Sequence, residues 1–83
     1  MKFLAEIDIM PLDDLLDPQG KVIGSNLPRL GITSVENVRV GKHITMEIDA
    51  KNESEANETV SILCKKLLAN QVIEKFSFEL KKI

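Results

Sequence analysis

The sequence predicts an α+β domain of order βαββαβ, an antiparallel sheet with two helices on one face. Three observations carry this. Phe3, Ala5, Ile7 and Ile9 near one end alternate with Leu4, Glu6, Asp8 and Met10, and Phe76, Phe78 and Leu80 near the other alternate with Ser77, Glu79 and Lys81, at the period of a half-buried strand. Two stretches between them carry apolar residues at helical spacing, each opened by a capping residue. Between those lie a valine-rich run, Val35–Val40, that suggests a strand, and a cleanly alternating one, Ile44–Ile48.

Pro11 ends the first strand, because proline cannot donate to a sheet ladder. Asp17-Pro18 starts the first helix: Asp caps orphan amides and Pro is pre-shaped for the first helical position. Val22, Ile23, Leu27 and Leu30 form its apolar stripe, Pro28 loosens its last turn, and Gly31 supplies the left-handed stop. Val35, Val38 and Val40 then read as a second strand and Ile44, Met46 and Ile48 as a third. Parity selects the turn between them. A loop of Gly41-Lys42-His43 pairs Val40 with Ile44 and keeps both apolar sets on one face, whereas a two-residue turn would oppose them.

Asn52 and Glu55 are spaced as a capping box, with Ser54 a competing cap. Ala56, Val60, Leu63, Cys64, Leu67 and Leu68 follow as an amphipathic stripe, flanked by Glu55 and Glu58 at its start and Lys65 and Lys66 at its end, as the helix dipole favours. Asn70 stops it. The resulting order is that of ferredoxin-like and related layers.

With 83 residues, one domain, spanning 1–83, is expected, burying about 60–65% of its unfolded surface. The residues are 43% hydrophobic, yet the only aromatics are three Phe, so the core is aliphatic and thin, and association with itself or a larger partner is expected. A net charge of −2 without clustered Lys or Arg argues against nucleic acid. One cysteine forms no internal disulfide and fits a reducing compartment. No apolar run reaches the roughly 18 residues of a membrane span. Met1-Lys2 leads into a strand pattern rather than a signal peptide, so the expectation is a soluble, cytoplasmic chain.

Groups able to perform chemistry are scarce: one His, one Cys, no Tyr and no Trp. His43 at a hairpin tip reads as a solvated histidine, and Cys64 on an apolar stripe as a buried, inert thiol. No Cys/His spacing supports a metal. Asp13, Asp14 and Asp17, like Glu53, Glu55 and Glu58, read as exposed loop and helix-start charges, without the apolar surroundings that tune an acid–base pair. The βαββαβ order occurs in RNA-recognition domains, but the open face here would carry Glu6, Asp8, Asn37, Arg39, Thr45, Glu47, Asp49, Ser77 and Glu79, with no aromatic to stack a base. Gln19-Gly20 is similar to an acylphosphatase phosphate loop, but Gly24 stands where that loop needs an arginine. A regulatory module of ACT type, binding a small molecule at the strand-to-helix junction, fits the size and acidity and is the alternative reading.

Three blocks carry more: Leu16-Asp17-Pro18-Gln19-Gly20-Lys21, Val38-Arg39-Val40-Gly41-Lys42 and Leu67-Leu68-Ala69-Asn70-Gln71-Val72-Ile73-Glu74. In this order and at these separations they resemble the PurS family, the small subunit of the multi-chain phosphoribosylformylglycinamidine (FGAM) synthase of purine biosynthesis. The resemblance runs from first strand to last. It implies a chain with no active site and no cofactor of its own, which associates with itself. It further implies two larger partners: a glutamine amidotransferase that releases ammonia, and a synthetase that uses ATP and Mg to convert formylglycinamide ribonucleotide into FGAM. The small subunit would hold the two together so that ammonia passes between them. Local folding rules explain Asp17, Pro18 and Gly41, but not Gln19, Arg39 and Lys42. The candidate partner contacts are therefore Gln19, Arg39 and Lys42, with Asp17, Gly41 and Asn70 of the same blocks beside them. Arg39 is expected to project from the polar face of the sheet, opposite Val38 and Val40.

Overall fold

The computed structural model describes residues 1–83. Strands β1 (Lys2–Pro11), β2 (Lys42–Asp49) and β3 (Glu74–Lys82) form one antiparallel sheet in the order β2-β1-β3. The alternating runs fix its register. Ile7 lies between Ile44 and Phe78, and Ala5 between Met46 and Leu80, so these two central inward rows are apolar across all three strands. Phe3, Ala5, Ile7 and Ile9 are buried; full burial of a side chain such as Ile7 stabilises by about 1.5–3 kcal/mol.

Helix α2 (Glu53–Leu63) begins where Asn52 Oδ1 accepts the Glu55 amide at 2.8 Å. It packs on β1 and β3 through Ala56 and Val60, which are fully buried, and is continued by Cys64, also buried, at the head of a π turn, Cys64–Leu68. The wider turn shifts the helical phase. Leu67 is thereby turned outward at 75% exposure, while Leu68 is half-buried and Ala69 buried, so the predicted stripe holds except at Leu67.

Helix α1 (Pro18–Asn26) follows its sequence signals closely. Asp17 caps it by accepting the Gly20 amide at 3.2 Å, and Pro18 occupies its first turn. Near Pro28 the chain tightens into a 3-10 turn, Leu27–Leu30, which stops at Gly31 with φ 76°.

The α+β class and antiparallel sheet are as expected, but two features differ. Residues 35–40 are extended without joining the sheet. β1 has two edges, and β2 and β3 occupy both, so the valine segment has no place beside it. Asn37 takes a left-handed φ of 57°, and the Val40 amide donates to Asp17 instead of to a ladder. The predicted hairpin is absent, and His43 lies within β2 opposite Asp8.

The second difference is that α1 does not lie on the sheet beside α2. Its Gly20–Gly24 side rests on the valine segment: a Cβ at Gly20 would overlap the Val38 carbonyl oxygen, and one at Gly24 would touch Val38 Cγ2. Helix and segment form an arm extending from one end of the sheet. The Cα radius of gyration is 16.5 Å, against about 12 Å for a compact chain of this length. Only 10 of 83 residues are buried, so this chain is thinly packed alone.

Candidate functional site

The three sequence blocks converge where β1 ends and β2 and β3 begin. Asp17 is the first junction. Its carboxylate accepts the Val40 amide at 2.6 Å and the Gly20 amide at 3.2 Å, so one side chain caps α1 and ties it to the second block. These amides, Val40 foremost, hold its pKa below the ordinary carboxylate value.

Arg39 is the second junction. Its guanidinium donates to the Leu12 carbonyl at 2.6 Å and the Leu15 carbonyl at 2.9 Å, bracing the loop between β1 and α1. It therefore does not project from the polar face of the sheet, because residue 39 is not on a strand; its planar fork is used within the chain. Gly41 is needed for close approach: a Cβ there would overlap the Ile9 carbonyl oxygen and Met10 Sδ.

The third block forms the turn into β3. Asn70 Oδ1 accepts the Val72 amide at 3.1 Å, and the Asn70 carbonyl accepts those of Ile73 and Glu74. Glu74 returns a bond by accepting the Asn70 amide at 2.8 Å, and its other oxygen lies 3.5 Å from Lys42 Nζ. Its pKa is lowered, chiefly by the Asn70 amide and then by Lys42. The Leu12 amide donates to the Ile73 carbonyl at 2.9 Å, joining this turn to the end of β1.

A cleft of about 370 Å³ opens between the blocks, lined by Leu16, Asp17 and Pro18, by Val40, and by Ile73 and Glu74. Leu16, at 73% exposure, and Ile73, at 47%, present apolar surface there. Among the six candidates, Asp17, Arg39, Gly41 and Asn70 thus have internal roles, and Lys42 is paired yet exposed. Gln19 is exposed beside Val22, Ile23 and Val40 along a mostly apolar groove. Gly20 is the glycine that lets the helix pack closely, against Val38; spacing alone did not single out Glu74, whose pairing with Lys42 spans residues distant in sequence.

Elsewhere, His43 Nδ1 stands 2.6 Å from Asp8 Oδ1 on the exposed sheet face. Cys64 is buried, which raises its thiol pKa. Asp13 is held below its ordinary pKa by Lys75, 2.7 Å away. No three His, Cys, Asp or Glu side chains converge as metal ligands, and no helix is long and apolar enough to cross a membrane.

Residues 4–82 match the family model described as PurS, phosphoribosylformylglycinamidine (FGAM) synthase. The chain belongs to the PurS family. The PurS subunit of Synechocystis is 41% identical over 80% of this chain, and the match spans 66% of that relative. The Mycobacterium leprae subunit is 39% identical over 84% of this chain and 85% of its own length. Among solved structures, PurS of Thermus thermophilus superposes with a TM-score of 0.85 at 37% identity, covering 100% of this chain and 99% of that one. A chain in the structure of PurLQS from Thermotoga maritima gives 0.89 at 31% identity, covering 98% and 99%. The projecting arm and three-stranded sheet are thus part of a PurS-like chain.

Proposed function

We propose that this chain is the non-catalytic small subunit of an FGAM synthase complex, bridging a glutamine amidotransferase subunit and an ATP-dependent synthetase subunit and supporting ammonia transfer between them. The observation that carries this reading is the PurS match over residues 4–82, supported by the likeness to the chain from the Thermotoga PurLQS structure. The side-chain chemistry agrees. Asp17, Arg39 and Glu74 are engaged in holding the fold, and Cys64 is buried. In this reading the chain takes no cofactor; ATP and Mg belong to the synthetase, and the assembly works in the cytoplasm. The chain associates with itself as well as with its partners; of the six candidates, exposed Gln19, and Lys42, exposed although paired with Glu74, are the ones not used to brace the arm or the turn. Co-sedimentation of this chain with the two larger subunits tests the reading. A complex containing all three is expected, and a chain sedimenting separately at micromolar concentrations would oppose it.

A further inference from the structure

The end cleft carries apolar surface that the fold itself does not use. Leu16 is 73% and Ile73 47% exposed on two of its walls. Val72, next along the turn, is 80% exposed. Pro18 and Val40 add to the lining of about 370 Å³. The walls are fixed before anything binds. The Val40 amide is tied to Asp17, the Leu12 amide to the Ile73 carbonyl, and the Asn70 amide to Glu74. A surface ordered in advance loses little freedom when a partner docks on it.

The polar groups decide what fits. Asp17 and Glu74 are the charged residues lining the cleft, and each of their carboxylate oxygens is already engaged. Asp17 Oδ1 accepts from Gly20 and Oδ2 from Val40. Glu74 Oε1 accepts from Asn70, and Oε2 faces Lys42. An apolar side chain entering the cleft leaves these bonds intact, whereas a polar ligand would have to compete with them. At the rim, the Lys42 side chain is 58% exposed and lies 3.5 Å from Glu74. An ammonium has three donors, so Lys42 keeps donors for a carboxylate from outside the chain.

We propose that the end cleft docks a loop of the glutamine amidotransferase subunit, through an apolar side chain seated between Leu16 and Ile73 and a neighbouring carboxylate on Lys42. This deepens the bridging reading and rests on it. In that reading glutamine-dependent synthesis is the activity that needs this chain, so the contact it cannot lack is the one to the amidotransferase. The cleft is the surface that all three sequence blocks build together, and its chemistry is that of an interface. An apolar anchor in a preformed pocket supplies affinity. A charge at the rim steers the approach and rejects a loop with a cation in the same place.

The test places a photoreactive benzoylphenylalanine at Leu16 of the full chain, mixed with both larger subunits, glutamine, ATP and formylglycinamide ribonucleotide. Irradiation is expected to link it to the amidotransferase, in a peptide carrying an apolar residue beside Asp or Glu. In separate chains, Leu16→Asp and Lys42→Glu should each raise at least tenfold the chain concentration that gives half the maximal glutamine-dependent rate. Lys42→Arg should restore it, and circular dichroism and self-association of all three variants should match the unmodified chain. Crosslinks to the synthetase or to a second copy, no crosslink at all, or variants of unchanged potency would overturn the docking. If all three subunits still sediment together, the bridging reading stands. An unmodified chain that sediments apart from both larger subunits would overturn both.

Discussion

Arg39→Ala separates a residue that holds the arm from one reserved for a partner. The guanidinium makes two bonds to backbone carbonyls, 2.6 Å to Leu12 and 2.9 Å to Leu15. A hydrogen bond from a charged donor contributes about 1.5–3 kcal/mol when its acceptor is otherwise unsatisfied. The Leu15 bond is exposed and its carbonyl rehydrates on loss of the partner; the Leu12 bond is partly buried and carries most of the cost. A destabilisation of the arm of about 2 kcal/mol follows. Because α1 lies off the sheet, the loss should appear as local opening before global melting. The assay is native-state hydrogen exchange at the Gly20, Lys21 and Val40 amides, which bond to Asp17. At about 1.4 kcal/mol per decade, protection should fall about 30-fold. Amides in the centre of β1 should change much less. Arg39→Lys should fall between, since an ammonium lacks the fork that reaches both carbonyls. Unchanged protection at Val40 with weakened assembly would refute the bracing role.

Further outcomes are expected of the same chain. Gly20→Ala should destabilise the arm by about 1–3 kcal/mol, the usual cost of forcing extra atoms into packed surroundings, because the added Cβ meets the Val38 backbone; exchange at α1 amides reads it. Ile7→Ala, at a fully buried site in the central strand, should cost about 2–5 kcal/mol and lower the melting temperature by at least about 8 °C. Asp17 and Glu74 have folded pKa values below their ordinary 3.8 and 4.5. Their stabilisation is therefore fully present above those values and lost as pH falls through the lowered ones. Protection factors at Val40 and Asn70, corrected for the intrinsic exchange rate at each pH, should thus be unaffected near pH 7 and fall below about pH 4, an effect absent in Asp17→Asn at Val40. Cys64, buried with a raised pKa, should react with a thiol reagent only as fast as the fold opens; rapid labelling of the native chain would place it at the surface.

The strands and caps were legible because their causes are local. Alternation at Phe3–Ile9 and Phe76–Leu80 specifies a buried face, and Asp17, Pro18, Pro28 and Gly31 act on neighbours within a few residues. The valine segment was misplaced because a period of two marks a chain with one apolar side, whether or not that chain enters a ladder. Here the segment rests on the bare Gly20 backbone instead. Choosing between the two required knowing that β3, from the far end of the chain, takes the second edge of β1. Leu67 was lost to a π turn, which shifts the phase without a sequence mark. At the site, the blocks were visible as blocks, but the partner of each polar group lies far away in sequence: Arg39 with Leu12, Asp17 with Val40, and Lys42 with Glu74. Local rules leave such residues unexplained, which is why Arg39 was read as a contact for another protein.

The central claim is that this chain couples two partner activities without performing either. The most direct measurement is FGAM formation by the two larger subunits with glutamine or with free ammonia as nitrogen donor, with and without this chain. Omitting the chain should abolish most of the glutamine-dependent rate and leave the ammonia-dependent rate largely intact, because free ammonia needs no glutaminase. Equal loss with both donors, or no loss with glutamine, would contradict the account.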